Sequence, residues 1–250
     1  IDTVPSNATG TFVSGSQTVT YLYKRKQSGG VTVNYLDNHG NRIETPDTIT
    51  GTDNVGLPYT TTPKVIPNYT LIVVPGNANG TFTVDPITVN YIYKRDDAGD
   101  VVVEHIDENG NVPLESPEVL DGREKLGENY TTSSKVFDNY DLISVPSNAT
   151  GTFISGSQTV TYVYRRRDAG DVIAHYVNTA GIPIESDEIL DGSRSLGLPY
   201  ATAAKAINGY SLYLVQGAET GVFSTGRIEV TYIYKKDPSV VVIPGPVTPV

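Results

Sequence analysis

The sequence predicts a mostly β protein, a tandem array of small β-sheet repeats of about 70 residues each. Three observations carry that prediction. TVTYLYKR at residues 18–25 returns as TVNYIYKR at 88–95, TVTYVYRR at 159–166 and EVTYIYKK at 229–236, so Tyr21, Tyr91, Tyr162 and Tyr232 stand 70, 71 and 70 residues apart. Self-similarity at a fixed period marks a chain of repeated units. The composition is biased to Val, Ile, Thr and Tyr, residues that suit a pleated, half-buried surface. The middle of each unit, GLPYTTTPKVIPNY in the first copy, carries no sustained helical stripe.

Three complete units overlay, at 31–95, 101–166 and 172–236, and residues 1–26 match only the C-terminal half of a unit. VPSNATGTFVSGSQTVTYLYKR in that half nearly repeats VPSNATGTFISGSQTVTYVYRR from Val145, which points to recent duplication within the array. Because the chain opens in the middle of a repeat, a longer parent protein is expected. QSGG, DDAGD and DAGD join the units, and joints so short restrict the angle between neighbours. The tail at 237–250, DPSVVVIPGPVTPV, reads as an extended proline-rich linker.

Each unit opens on a strand: VTVNYLD, VVVEHID and DVIAHYVN. A turn follows with glycine in one column, Gly40, Gly110 and Gly181, where a hairpin loop asks for positive φ. RIET, VPLES and IPIES then read as the partner strand. The middle of the unit is expected to be an irregular crossover or one short helix. A second hairpin is expected next, turning at NATG, NANG, NATG and AETG, with Phe12, Phe82, Phe153 and Phe223 two residues after the glycine. The TVTYLYKR segment is the last strand.

Along that strand side chains alternate, so Val19, Tyr21 and Tyr23 share one face. Sixteen of the 17 tyrosines occupy a column that another unit also fills with tyrosine, and Tyr213 alone does not. A repeated aromatic column is core, since every copy must fill the same space. The first tyrosine of the strand is therefore a strut. The second, beside two cations, is open to another reading: Tyr23, Lys24 and Arg25, Tyr93, Lys94 and Arg95, Tyr164, Arg165 and Arg166, and Tyr234, Lys235 and Lys236 form four candidate ligand-binding sets.

Other chemistries lack their residues. A unit this small buries only about 60% of its unfolded surface, and with no cysteine no disulfide supplements it. Net charge −10 argues against nucleic-acid partners, and no apolar run is long enough for membrane insertion. His39, His105 and His175 fall in three different columns without zinc-ligand spacing. No nucleophile elbow, P-loop or dinucleotide fingerprint occurs, so neither catalysis, metal nor cofactor is expected. Turns such as DENGN lack the further acidic ligands of a calcium loop. Lys64, Lys135 and Lys205 share one column, read as exposed lysines with an isopeptide crosslink as the sharper alternative.

The columns taken together resemble a known pattern. In the first unit it runs Val31, Val33, Tyr35, Asp37, Gly40, Gly56, Tyr59, Thr60, Thr61, Asn68, Tyr69, Leu71, Asn77, Gly80, Phe82, Val89, Tyr91, Tyr93 and Lys94. This is similar to the MucBP (mucin-binding protein) repeat family, over residues 31–236 and the half unit before them. His105 departs from it in place of the strand tyrosine, and so does AETGVF in place of the asparagine turn. The resemblance implies small sheets of β-grasp or ubiquitin-like type strung into an elongated, monomeric rod. It also implies the extracellular surface of a Gram-positive bacterium, with cell-wall anchoring through parts of the parent chain not present in this sequence. It further implies multivalent weak binding to mucin or another host glycoprotein. The alternative is a stalk that projects a separate adhesive domain, in which the same cations pair with Asp96, Asp97 and Asp168 at the joints.

Overall fold

A computed structural model describes residues 1–109 and 112–238, so the turn glycine Gly110 and the proline-rich tail from residue 239 onward lie outside the described residues. The first repeat comprises β1 (Val31–Asp37), β2 (Arg42–Ile49), β3 (Pro58–Thr60), β4 (Tyr69–Val73), β5 (Asn79–Thr81) and β6 (Ile87–Arg95). Four of them form one mixed sheet in the order β2-β1-β6-β4, and β3 pairs with β5 in a separate two-stranded ladder. No α-helix occurs among the described residues. The middle of the repeat is an irregular crossover.

Alternation along the two central strands explains the core. β1 and β6 run parallel in register, Val33 beside Val89 and Tyr35 beside Tyr91. Their alternate residues Val31, Val33, Tyr35, Val89, Tyr91 and Tyr93 are almost wholly buried. The Tyr35 and Tyr91 rings stack with centroids 5.9 Å apart. Tyr59 from β3 and Phe82, at 5.5 Å, extend the cluster under the crossover.

The first expected hairpin forms as read: β2 is antiparallel to β1, and Gly40 turns the chain with φ of 87°. The second differs from expectation. β4 and β6 are antiparallel neighbours, but the segment between them peels away, and β5 pairs with β3 instead. Tyr59 draws it there, donating its hydroxyl proton to the Asn77 carbonyl at 3.0 Å.

The second repeat comprises β7 (Val101–Asp107), β8 (Glu118–Leu120), β9 (Asn129–Thr131), β10 (Tyr140–Ser144), β11 (Thr150–Thr152) and β12 (Gln158–Arg166). The third comprises β13 (Val172–Asn178), β14 (Pro183–Leu190), β15 (Pro199–Ala201), β16 (Tyr210–Gln216), β17 (Thr220–Val222) and β18 (Ile228–Lys236). Both keep the sheet order of the first. The chain divides into two compact units, Ile1–Val101 with Leu120–Tyr130 and Gly151–Gln158, and Val102–Val119 with Thr131–Thr150 and Thr159–Val250.

Two segments depart from expectation. VPLES is not a strand: the turn before Leu114 is one residue longer than those before Ile43 and Ile184, and a single isolated bridge, Ile106 to Pro113, is all that pairs there among the described residues. The partner strand β8 begins only at Glu118. Residues 1–26 hold no extended ladder but one isolated bridge, Thr3 to Leu22, and leave Tyr21 43% and Tyr23 73% exposed.

Candidate functional site

The recurring tyrosine pair and its two cations are displayed four times, so their surroundings decide what the repeat offers. Both tyrosines of β6 face inward. Tyr91 shares a hydrogen bond with the Thr61 hydroxyl at 2.9 Å. Tyr93, 1% exposed, accepts from the Lys64 amide at 3.0 Å and donates to the Lys64 carbonyl at 2.8 Å. Tyr164 and Tyr234 do the same with Lys135 and Lys205. A buried aromatic whose hydroxyl is fully engaged pins the crossover onto the sheet. These three rings therefore present no face for stacking on a sugar, which corrects the binding role considered for Tyr93, Tyr164 and Tyr234. Tyr23 alone is exposed.

The cations emerge at the joints. Arg95 donates Nη1–H to the Leu126 carbonyl at 3.0 Å, pairs with Glu128 at 3.3 Å and lies over the Tyr69 ring, 4.6 Å from its centroid. Arg166 donates to the Leu196 carbonyl at 2.9 Å and lies 4.5 Å over Tyr140. Arg25 reaches the Val55 carbonyl at 3.1 Å. One column of arginines thus clamps one column of carbonyls in the entry loop of the following repeat, a planar donor being suited to stack and bond at once.

The first cation of each pair meets a second recurring position. Asp53, Glu124 and Arg194 share a column and a left-handed backbone, with φ of 58°, 56° and 54°. Lys24 pairs with Asp53 at 2.9 Å, and Lys94 with Glu124 at 3.7 Å and with Asp97 at 3.4 Å. At the next joint the column has changed sign, so Glu108 is shared by Arg165 at 2.8 Å and Arg194 at 3.3 Å. Glu108 and Glu124 are held below the ordinary carboxylate value, chiefly by the hydrogen bonds from Arg165 and Asn38 respectively. Lys235 and Lys236 are exposed at the end of β18.

The column of three lysines is also explained. Lys64 pairs with Asp47 at 2.7 Å above the Tyr35 ring, and Lys135 with Glu115 at 2.6 Å. These two are partly exposed ion pairs on the rim of the sheet, while Lys205 donates to the Ser186 carbonyl at 3.3 Å and lies 4.1 Å over the Tyr176 ring.

At the joint after β6, a polar cleft of about 440 Å³ is lined by residues that include His39, Tyr69, Arg95, Arg123 and Lys125. Sequence reading by columns missed it. The signal was available in the entry loops, where GREKLG carries two cations against none in GTDNVG and one in GSRSLG.

The same small sheet, with its strand tyrosines buried and its arginine column bonded to the next entry loop, recurs along the chain and defines a class: a protein of tandem β-sheet repeats. Four segments, 1–24, 30–94, 100–165 and 171–235, match the MucBP domain. The chain belongs to the MucBP domain family. It is 42% identical over 247 residues to internalin J of Listeria monocytogenes serotype 4b, covering 96% of this chain and 26% of that protein. It is 30% identical over 230 residues to the muramidase-released protein of Streptococcus suis, covering 87% of this chain and 16% of that one. The chain thus spans about a quarter or less of these curated relatives. Among solved structures, a type 2 repeat of the mucus binding protein MUB from Lactobacillus reuteri aligns over 56% of this chain and all of its own, at 16% identity and a TM-score of 0.21, a superposition too partial to bear on function.

Proposed function

We propose that this chain is a stretch of non-catalytic adhesion repeats, displayed outside a Gram-positive cell, that holds mucin or another host glycoprotein through several weak contacts at once. The observation that carries the reading is the fourfold match to the MucBP domain across nearly the whole chain. Repetition converts weak single contacts into avidity. The contact points we assign are the cations left partly open at the joints: Lys24, Lys94 and Arg165, with Lys235 and Lys236 and the exposed Tyr23. The cleft beside His39, Arg123 and Lys125 adds polar groups of both signs, since Asp37, Glu124 and Glu128 line it too.

One observation favours a second reading, that of a spacer. The arginine column is spent on carbonyls of the next repeat, which orients neighbours and leaves Arg25, Arg95 and Arg166 few free donors. Binding of the whole chain to purified mucin at physiological salt, beside a single repeat and sialidase-treated mucin, separates the two. Adhesion predicts strong binding that drops sharply for one repeat. A whole chain that does not bind mucin leaves the spacer.

A further inference from the structure

Two successive joints share one backbone arrangement and carry opposite charges. In the turn after β1, Asp37 Oδ1 accepts from the His39 amide at 2.9 Å, and in the turn after β7 Asp107 Oδ1 accepts from the Asn109 amide at 2.7 Å. The left-handed residues of the entry loops are pinned just as alike. The Glu124 amide donates to Asp97 at 2.9 Å, and the Arg194 amide donates to Asp168 at 2.8 Å. Positive φ is uncommon outside glycine, so a recurring one, fixed by a carboxylate, aims its side chain one way. Turn and loop therefore present two fixed positions to each other, and only the side chains placed there differ.

Those side chains exchange roles. At the first joint the turn donates: Asn38 Nδ2 bonds Glu124 Oε2 at 3.3 Å, and His39 Nε2 lies 3.5 Å from the same oxygen. At the second the turn accepts: Arg194 Nη1 donates to Asn109 Oδ1 at 3.0 Å and lies 3.3 Å from Glu108 Oε1. Asn38 and Glu108 share one column, as do His39 and Asn109. The first cation of the last strand follows the change. Lys94 lies 3.7 Å from the carboxylate of the loop, whereas Arg165 donates to the carboxylate of the turn at 2.8 Å. The contact between turn and loop is thus built around one carboxylate, which the two joints supply from opposite sides.

We propose that turn and entry loop form a sign key that selects which repeat docks behind which. The Asn-His turn fits a follower with an acidic residue in the left-handed position, and the Glu-Asn turn fits a follower with a basic one. Exchanged followers meet like charge. A loop of the Glu124 kind sets a second carboxylate against Glu108, and a loop of the Arg194 kind sets its guanidinium beside Lys94 with no carboxylate at position 38 to receive it. Like charges placed across an interface act against wrong partners. Repeat proteins are prone to misassembly between domains as they fold. The buried Tyr93, Tyr164 and Tyr234 recur in every complete copy and cannot tell one neighbour from another. The inference rests on the joints alone and holds whether the repeats bind mucin or only space.

The test uses the whole chain, 15N-labelled and weakly aligned, and reads the order of the first repeat relative to the second from residual dipolar couplings. Glu124→Arg places at the first joint the residue that position 194 already carries in the same left-handed backbone, so its folding has a precedent within the chain. Unchanged amide shifts along β1 and β7 check that both sheets are intact. Glu124→Arg should lower the relative order at this joint and leave the second joint as it was. Asn38→Glu alone should lower it too, by setting two carboxylates against each other. The two substitutions together import the pair of the second joint and should restore the order that each alone loses, a coupling that independent sites do not show. Undiminished order in either single variant, or a double variant as loose as the singles, overturns the proposal.

Discussion

The rim of the sheet is closed in two ways. In the first and third repeats a tyrosine spans it, hydrogen-bonded to a carboxylate and covered by a lysine 4.5 Å and 4.1 Å from the ring centroid. In the middle repeat His105 and Phe137 share the same space, and the lysine has moved to Glu115. The difference teaches that volume and hydrogen bonding are separable. A larger neighbour can repay lost ring area, because dispersion contacts are interchangeable. It cannot supply a donor to His105 Nε2, which is buried without one, because that bond has a direction and a partner.

The stacked tyrosine is common to both arrangements, so removing it should cost the most in either. Tyr91→Ala and Tyr162→Ala are each expected to destabilise their own repeat by about 3–5 kcal/mol, the range for deleting a buried aromatic. Native-state hydrogen exchange of the central strands reads this repeat by repeat. Similar protection in the mutated and untouched repeats would show that the stack is not the core.

His105→Tyr alone should cost about 1–3 kcal/mol, because the larger ring meets Phe137 in a filled space. Adding Phe137→Ile, the residue that its column carries at Ile66 and Ile207, should recover most of it. Independent, additive costs would mean that the two columns are not a compensating pair.

Acid sharpens the comparison next. Burial is the largest influence on His105 and pushes it below its ordinary value, with Lys135 acting the same way and Glu115 and Glu118 opposing. The folded value lies below the unfolded value of about 6.5, so the neutral ring's contribution is present above that pH and is lost as pH falls through the folded value. Protection in the middle repeat should therefore decline in mild acid before that of the other two. Equal decline in all three removes His105 as the cause.

The smallest expected effect lies at the joints. Arg95→Ala should cost about 1 kcal/mol through its carbonyl bond and ring contact, and Arg95→Lys should recover little because the planar fork is lost. Residual dipolar couplings would detect a looser joint. Unchanged couplings would mean that the clamp does not orient the repeats.

Much of this was legible in one copy of the sequence and more in the overlay of four. The buried alternation Val89, Tyr91, Tyr93 follows from strand geometry, and the turn at Gly40 from its need for positive φ. Tyr93 was harder, since a tyrosine next to two cations has the local pattern of a surface site. Its burial depends on Lys64, 29 residues away, whose backbone binds the hydroxyl on both sides. The role of Arg95 likewise depends on Leu126, which belongs to another repeat. Residues 159–166 and 18–25 are nearly identical, yet only the first is a strand with both tyrosines buried. The second has no counterpart of β1 among residues 1–26 to pack against.

Period, strand alternation, turn glycines and the absence of a helical stripe were determined by the sequence alone, because each is a local property of side-chain spacing and backbone freedom. Tertiary structure decided the parallel pairing of the first and last strands, the diversion of β5 to β3, the closing of Tyr93 and the empty bond at His105. Each of those turns on whether a distant donor, acceptor or ring arrives at the right place. Periodicity along one chain specifies which face a residue occupies, but not what will meet it there.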